Sequence, residues 1–127
     1  MADGFSTTYA NSLLNSLENV APTAYNGVYV ALHTGAPGSA GTTNASAGST
    51  TRSSATFGAS SAGTISISNT PSWTNGGTSE TITDISVWSA STAGTFLFSA
   101  ALSASKAWAS LDTLQLSSLS VSIPTAS

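Results

Sequence analysis

Gly27-Val28-Tyr29-Val30-Ala31-Leu32-His33-Thr34 is the stretch that decides the fold. Successive side chains of a strand point to opposite sides, so Val28, Val30 and Leu32 share one face while Tyr29, Ala31 and His33 share the other. Upstream the period changes: Phe5, Tyr9, Leu13, Leu17 and Val20 recur at helical spacing, with Leu14 widening the stripe. Ser6 is placed to cap this helix, and Pro22 drives Ala21 out of helical geometry, so one N-terminal helix is expected over residues 5–21. Downstream, residues 35–51 are small and polar, with Pro37 and four glycines, and read as a long surface loop.

Beyond the loop the chain breaks into short β-type runs separated by Gly, Pro, Asn and Ser. Phe57 ends one run, and Ile65 and Ile67 alternate in the next. Pro71 and the turn Asn75-Gly76-Gly77 precede a run over 78–89. There Ile85 and Val87 share a phase that Ile82 does not, which predicts a β-bulge near Thr83 or Asp84. Phe96, Phe98, Ala100 and Leu102 line one face of the following run, with Leu97 on the other. Leu114 and Leu116 keep one phase and Leu119, Val121 and Ile123 the opposite one, so Ser117-Ser118 marks a bulge or a crossing between two packed sheets. The expectation is one domain over 1–127, mainly β: an antiparallel sandwich of seven to eight strands across 27–123, plus the helix.

Seven residues carry a formal charge: Asp3, Glu18, Arg52, Glu80, Asp84, Lys106 and Asp112. An average soluble domain is about 25% charged. Here 26 serines and 19 threonines meet the solvent instead. With 40% hydrophobic residues and a net charge of −3, the chain lacks the low hydrophobicity and high charge of disorder. Two separated cations cannot form the basic patch that nucleic acid or an anionic membrane requires. No apolar run approaches the roughly 18 residues of a transmembrane helix, and Met1–Val20 lacks the pattern of an export signal. Cysteine is absent, so disulfides and thiolate metal sites are excluded.

Candidate chemistry is sparse. A hydrolytic triad would need His33, the sole histidine, with Asp84 or Asp112 and one of many serines, and the chain contains no G-x-S-x-G elbow. The plainer reading of His33 is a strand residue before a turn. Glu80 and Asp84 share a strand face but stand about 13 Å apart by Cα, too far for one ion, so no metal or other cofactor is expected. The tryptophans suit subunit interfaces, core packing or stacking on a host-surface glycan. Trp88 is expected to face outward, and Trp73 and Trp108 to sit near turns at a rim.

Val28-Tyr29-Val30-Ala31-Leu32-His33-Thr34-Gly35-Ala36-Pro37-Gly38 resembles the V-x-L-H-T-x-x-P-G signature of a family of small tailed-bacteriophage virion proteins, often labelled tail-fibre proteins. Further motifs resembling the family follow in its order. They are Arg52 with Phe57-Gly58, the run from Thr81 to Trp88, Gly94 to Leu102 with Lys106, and Leu111 to Leu116 around Asp112. The chain departs from the family pattern at Ala45-Ser46, at Thr50-Thr51 and at Leu111. The resemblance implies a structural component of a virion assembled in the bacterial cytoplasm.

Three roles are weighed. A capsid-exterior decoration protein is small, rigid and repeated, which a compact sandwich with an uncharged skin satisfies. A tail-fibre or tail-tip subunit binding the host surface is the alternative, and a wall-degrading enzyme ranks last because no polar constellation converges. The expected partners are further copies, as a homotrimer, and the major capsid protein or tail proteins. Candidate contact residues are Tyr9, Leu13 and Leu17 on the helix, Trp73, Trp88 and Trp108, and the two cations Arg52 and Lys106.

Overall fold

A computed structural model describes residues 3–126. In chain order the elements are α1 (Thr7–Leu14), a 3-10 turn (Asn15–Glu18), β1 (Val28–His33), β2 (Ser53–Ala55), β3 (Thr64–Ser66), β4 (Ser72–Thr74), β5 (Glu80–Trp88), β6 (Phe96–Trp108), β7 (Thr113–Gln115) and β8 (Ser120–Ser122). The expectation of a mainly β, sandwich-like fold with one N-terminal helix holds. Four strands form an antiparallel sheet in the order β2-β1-β5-β6. Val30 lies beside Val87 and Leu32 beside Ile85, and these continue to Phe98 and Ala100 on β6, so one face of the sheet is apolar from strand to strand. Two small antiparallel sheets, β3-β8 and β4-β7, add Trp73 and Leu114 to the same core, and the segment between β7 and β8 adds Leu116 and Leu119.

Both breaks in hydrophobic phase have structural counterparts. The β5-β6 register shifts between Ile82 and Asp84, as expected, but the extra residues lie in the partner strand: Ile82 pairs with Lys106 and Asp84 with Ala101, so Leu102–Ser105 have only Thr83 opposite them. At Ser117-Ser118 the chain crosses between sheets, since β7 pairs with β4 and β8 with β3.

Other expectations are corrected. The helix is shorter than 5–21. Ser6 does cap it, its hydroxyl accepting from the Tyr9 N–H, but the backbone tightens at Asn15 and ends at Asn19 in the left-handed conformation (φ 67°), before Pro22 has any effect. β4 forms between Pro71 and the Asn75 turn, where no strand was expected. Asn75 itself builds the turn. It is fully buried, its Oδ1 accepts from the N–H groups of Gly77 and Thr78, and its Nδ2 donates to the carbonyls of Thr78 and Trp108.

The largest correction concerns residues 35–51, which are not a free surface loop. Tyr29, Ala31 and His33 on β1 register with Trp88, Ser86 and Asp84 on β5, forming the second face of the sheet. The loop lies over it as a third layer. It approaches so closely that a Cβ on Gly41 (φ +75°) would stand 2.6 Å from the Phe96 ring, and one on Gly48 2.8 Å from the Asn75 amide. Glycine is therefore required at both positions.

The apolar core carries the greater share of burial energy. Ile85→Ala removes a side chain that is 1% exposed and should cost about 3 kcal/mol. The expected result is a lower urea midpoint with an unchanged m-value.

Candidate functional site

The second face of the sheet concentrates the polar side chains that the chain buries. His33 and Ser86 are almost inaccessible, and they hydrogen-bond side chain to side chain across β1 and β5, Nε2 to Oγ at 2.7 Å. His33 Nδ1 lies 2.8 Å from the Thr43 carbonyl of the loop. A carbonyl only accepts, so Nδ1 carries the proton and Nε2 accepts from the Ser86 hydroxyl. Ser86 Oγ in turn accepts from Trp88 Nε1 at 2.8 Å. The chain Trp88 N–H, Ser86 O–H, His33, Thr43 carbonyl is therefore saturated with a neutral imidazole. Burial holds the His33 pKa below its ordinary 6.5, against the opposing pull of the Thr43 carbonyl and of the Asp84 and Asp3 carboxylates.

This arrangement does unite the histidine with a serine, yet not as a nucleophile and its base. Ser86 is 0% exposed, and the imidazole is oriented by a backbone carbonyl rather than by Asp84 or Asp112. Among the described residues no group of three or more His, Asp or Glu side chains is placed to hold a metal. Glu80 latches the loop: its carboxylate accepts from the Ser46 hydroxyl, from Ala47 N–H at 3.1 Å and from Gly48 N–H at 3.0 Å. Glu80 and these donors stand more than thirty positions apart, so no local pattern in the sequence announced the contact.

All three tryptophans are buried, the core-packing alternative among the readings above. Trp73, Trp88 and Trp108 are 4%, 8% and 1% exposed, so no ring offers an open face to a sugar or to a neighbouring subunit. Trp88 does point to the second face, as alternation requires, but that face is covered. Arg52 covers its ring, with the guanidinium carbon 3.9 Å from the ring centroid. The same guanidinium donates to the carbonyls of Ala90 (2.8 Å) and Ala93 (2.7 Å), fixing the β5-β6 turn. Arg52 is thus committed within the chain. Lys106 is exposed, on the rim of an open groove of about 800 Å³ between β6 and the β7-β8 segment.

The helix residues divide by position. Tyr9 is half-buried, with its ring edge-on to Phe5 at 5.5 Å and tilted against Tyr25 at 6.2 Å, and burial raises its pKa. Phe5 in turn meets Phe98 at 6.0 Å, joining the helix to β6. Leu13 is half-buried. Leu17 is 88% exposed, and Leu14 and Val20 beside it are 63% and 49% exposed. The end of the helical stripe is therefore an apolar patch that the chain leaves uncovered. No helix among the described residues is long and apolar enough to cross a membrane.

Residues 4–124 match the family described as Podophage GP4 fiber I protein gp80. The chain belongs to this family. Membership makes it a structural component of a phage virion, in agreement with the resemblance noted above. No curated protein matches it. The match spans the helix, the four-stranded sheet and the covering loop together.

Two consequences can be measured. The folded state keeps His33 neutral while the unfolded chain protonates it near pH 6.5, so stability is fully present above that value and declines as pH falls below it. Thermal melts between pH 8 and 5 should show the decline, and His33→Gln should flatten it. Glu80→Ala strands three loop donors and should cost about 2 kcal/mol, with accelerated proteolysis inside residues 35–51.

Proposed function

We propose that the protein is a non-enzymatic fibre subunit of a podophage-type virion, joined to further copies of itself through the apolar end of its helix. The observation that carries this reading is the family match over residues 4–124. Two features support it. Leu14, Leu17 and Val20 form an exposed apolar patch with Glu18 as its sole charge, a surface suited to a neighbour of equally low charge. In addition, His33 and Ser86, the one pairing with a catalytic look, are sealed within the polar layer. A homotrimer is the assembly we expect, since closed three-fold symmetry suits both fibres and capsid axes.

The capsid-exterior decoration role draws on the same compact, weakly charged fold, and copy number separates the two. Quantitative mass spectrometry of purified particles, with gold-labelled antibody, should find few copies, confined to the tail. Hundreds of copies spread over the head would overturn the fibre reading in favour of decoration. At the level of the isolated protein, Leu17→Asp should leave the melting temperature within a few degrees of wild type, because the side chain is already in water, and should convert the oligomer to monomer by light scattering. An unchanged oligomer would remove the helix end from the interface.

A further inference from the structure

The chain presents an apolar projection and an apolar recess, and each carries a single charge. The projection is the end of α1, where Leu14 and Leu17 are 63% and 88% exposed, Val20 is 49% exposed, and Glu18 stands exposed among them. Its shape is set in advance. Val20 N–H donates to the Asn15 carbonyl at 3.1 Å, Asn19 takes the left-handed conformation, and Thr23 N–H donates to Ser12 Oγ at 3.0 Å. Covering this end therefore costs little ordering entropy.

The recess is the open groove between β6 and the β7-β8 segment. β6 is the last strand of its sheet, and among the described residues the N-terminal segment bonds to it at Leu97 and Ser99, short of the groove, which begins at Ala100. Leu102, Leu114, Leu116 and Leu119 line it, and Lys106 is the one charged side chain among the described residues that do. Its volume of about 800 Å³ is several times the roughly 150 Å³ of a cavity that takes one benzene-sized group, so two leucines and a valine fit within it. The exposure of Leu17 shows that the helix end stands clear of any groove in its own chain.

We infer that the end of α1 on one copy seats in the β6/β7-β8 groove of the next, with Glu18 set against Lys106. This contact, which rests on the reading that the helix end joins copies, adds the face that the helix meets. Charge selects the pairing. Two helix ends placed face to face would oppose Glu18 with Glu18, and two grooves would oppose Lys106 with Lys106, whereas helix end into groove neutralises the charge on each side. The two faces differ, so the contact is head to tail, and three copies related by a three-fold axis close it into a ring with no projection left over.

The test uses the whole chain and its single lysine. In a mixture of ¹⁴N and ¹⁵N protein, a zero-length carbodiimide should join the Glu18 carboxyl to the Lys106 amine between differently labelled copies, read by mass spectrometry of peptic peptides. Lys106→Glu and Glu18→Lys, both at exposed positions, should each weaken association at least tenfold in sedimentation equilibrium, and the combined variant should recover to within threefold of wild type. Absence of the Glu18–Lys106 link between copies, or a combined variant no tighter than the single ones, would overturn the pairing. If Leu17→Asp dissociates the oligomer while both reversals leave it intact, the groove is refuted and the helix end remains an interface. A monomeric wild type, or an oligomer that survives Leu17→Asp, overturns both. Linked species running on past three copies would overturn the closed ring.

Discussion

Ser86 is the hinge on which the structure turns. Its hydroxyl takes the Trp88 N–H and gives its own proton to His33, whose other nitrogen reaches the Thr43 carbonyl. A sheet that buries one face can leave the other in water. This chain buries both, and the second face is polar, so every donor and acceptor on it requires a partner inside the protein. The loop over residues 35–51 supplies those partners through Thr43, while Glu80 fastens its residues 46–48 to β5 and Arg52, just after it, bonds to the turn that follows β5. A chain with two cations has few ion pairs available for the task and uses hydroxyls, backbone carbonyls and one cation over an indole.

This arrangement accounts for the economy of charge. Of the seven charged residues, Arg52, Glu80 and Asp84 are tied to backbone or side-chain partners within the fold. What remains for the exterior is largely hydroxyl and small apolar, with the uncovered end of α1 as its most apolar feature. For a fibre family, a rigid module with a weakly charged skin is a physically sensible repeating part, because copies can be brought together without accumulating repulsion.

Much of the fold was legible because apolar residues keep a period. The alternation in Val28–Leu32 located β1 and its inner face, and the phase breaks at Ile82/Ile85 and Leu116/Leu119 located a register shift and a crossing between sheets. Where the residues are Ala and Ser there is no phase to read, which is why the extra residues Leu102–Ser105 were invisible on β6 although their effect on β5 was not. Alternation puts Trp88 on the face opposite Val87, which reads as wet in the sequence. It is dry because a run of Gly, Ser and Thr can lie on a sheet as closely as Gly41 lies on Phe96. The same composition makes a free loop and a packed one look alike, so the roles of Thr43, Ser46 and Glu80 appeared only with the tertiary contacts. The family, by contrast, was legible from the order of short motifs.

The polar layer depends on the state of one imidazole. Long-range ¹H–¹⁵N correlation spectra of the folded protein at pH 7 report which ring nitrogen of His33 carries the proton. The predicted spectrum shows a neutral ring protonated at Nδ1, with Nε2 in the chemical-shift range of an unprotonated nitrogen accepting a hydrogen bond. A ring protonated at Nε2, or an imidazolium at that pH, would contradict the bonded chain from Trp88 to Thr43 and with it the third layer of the fold.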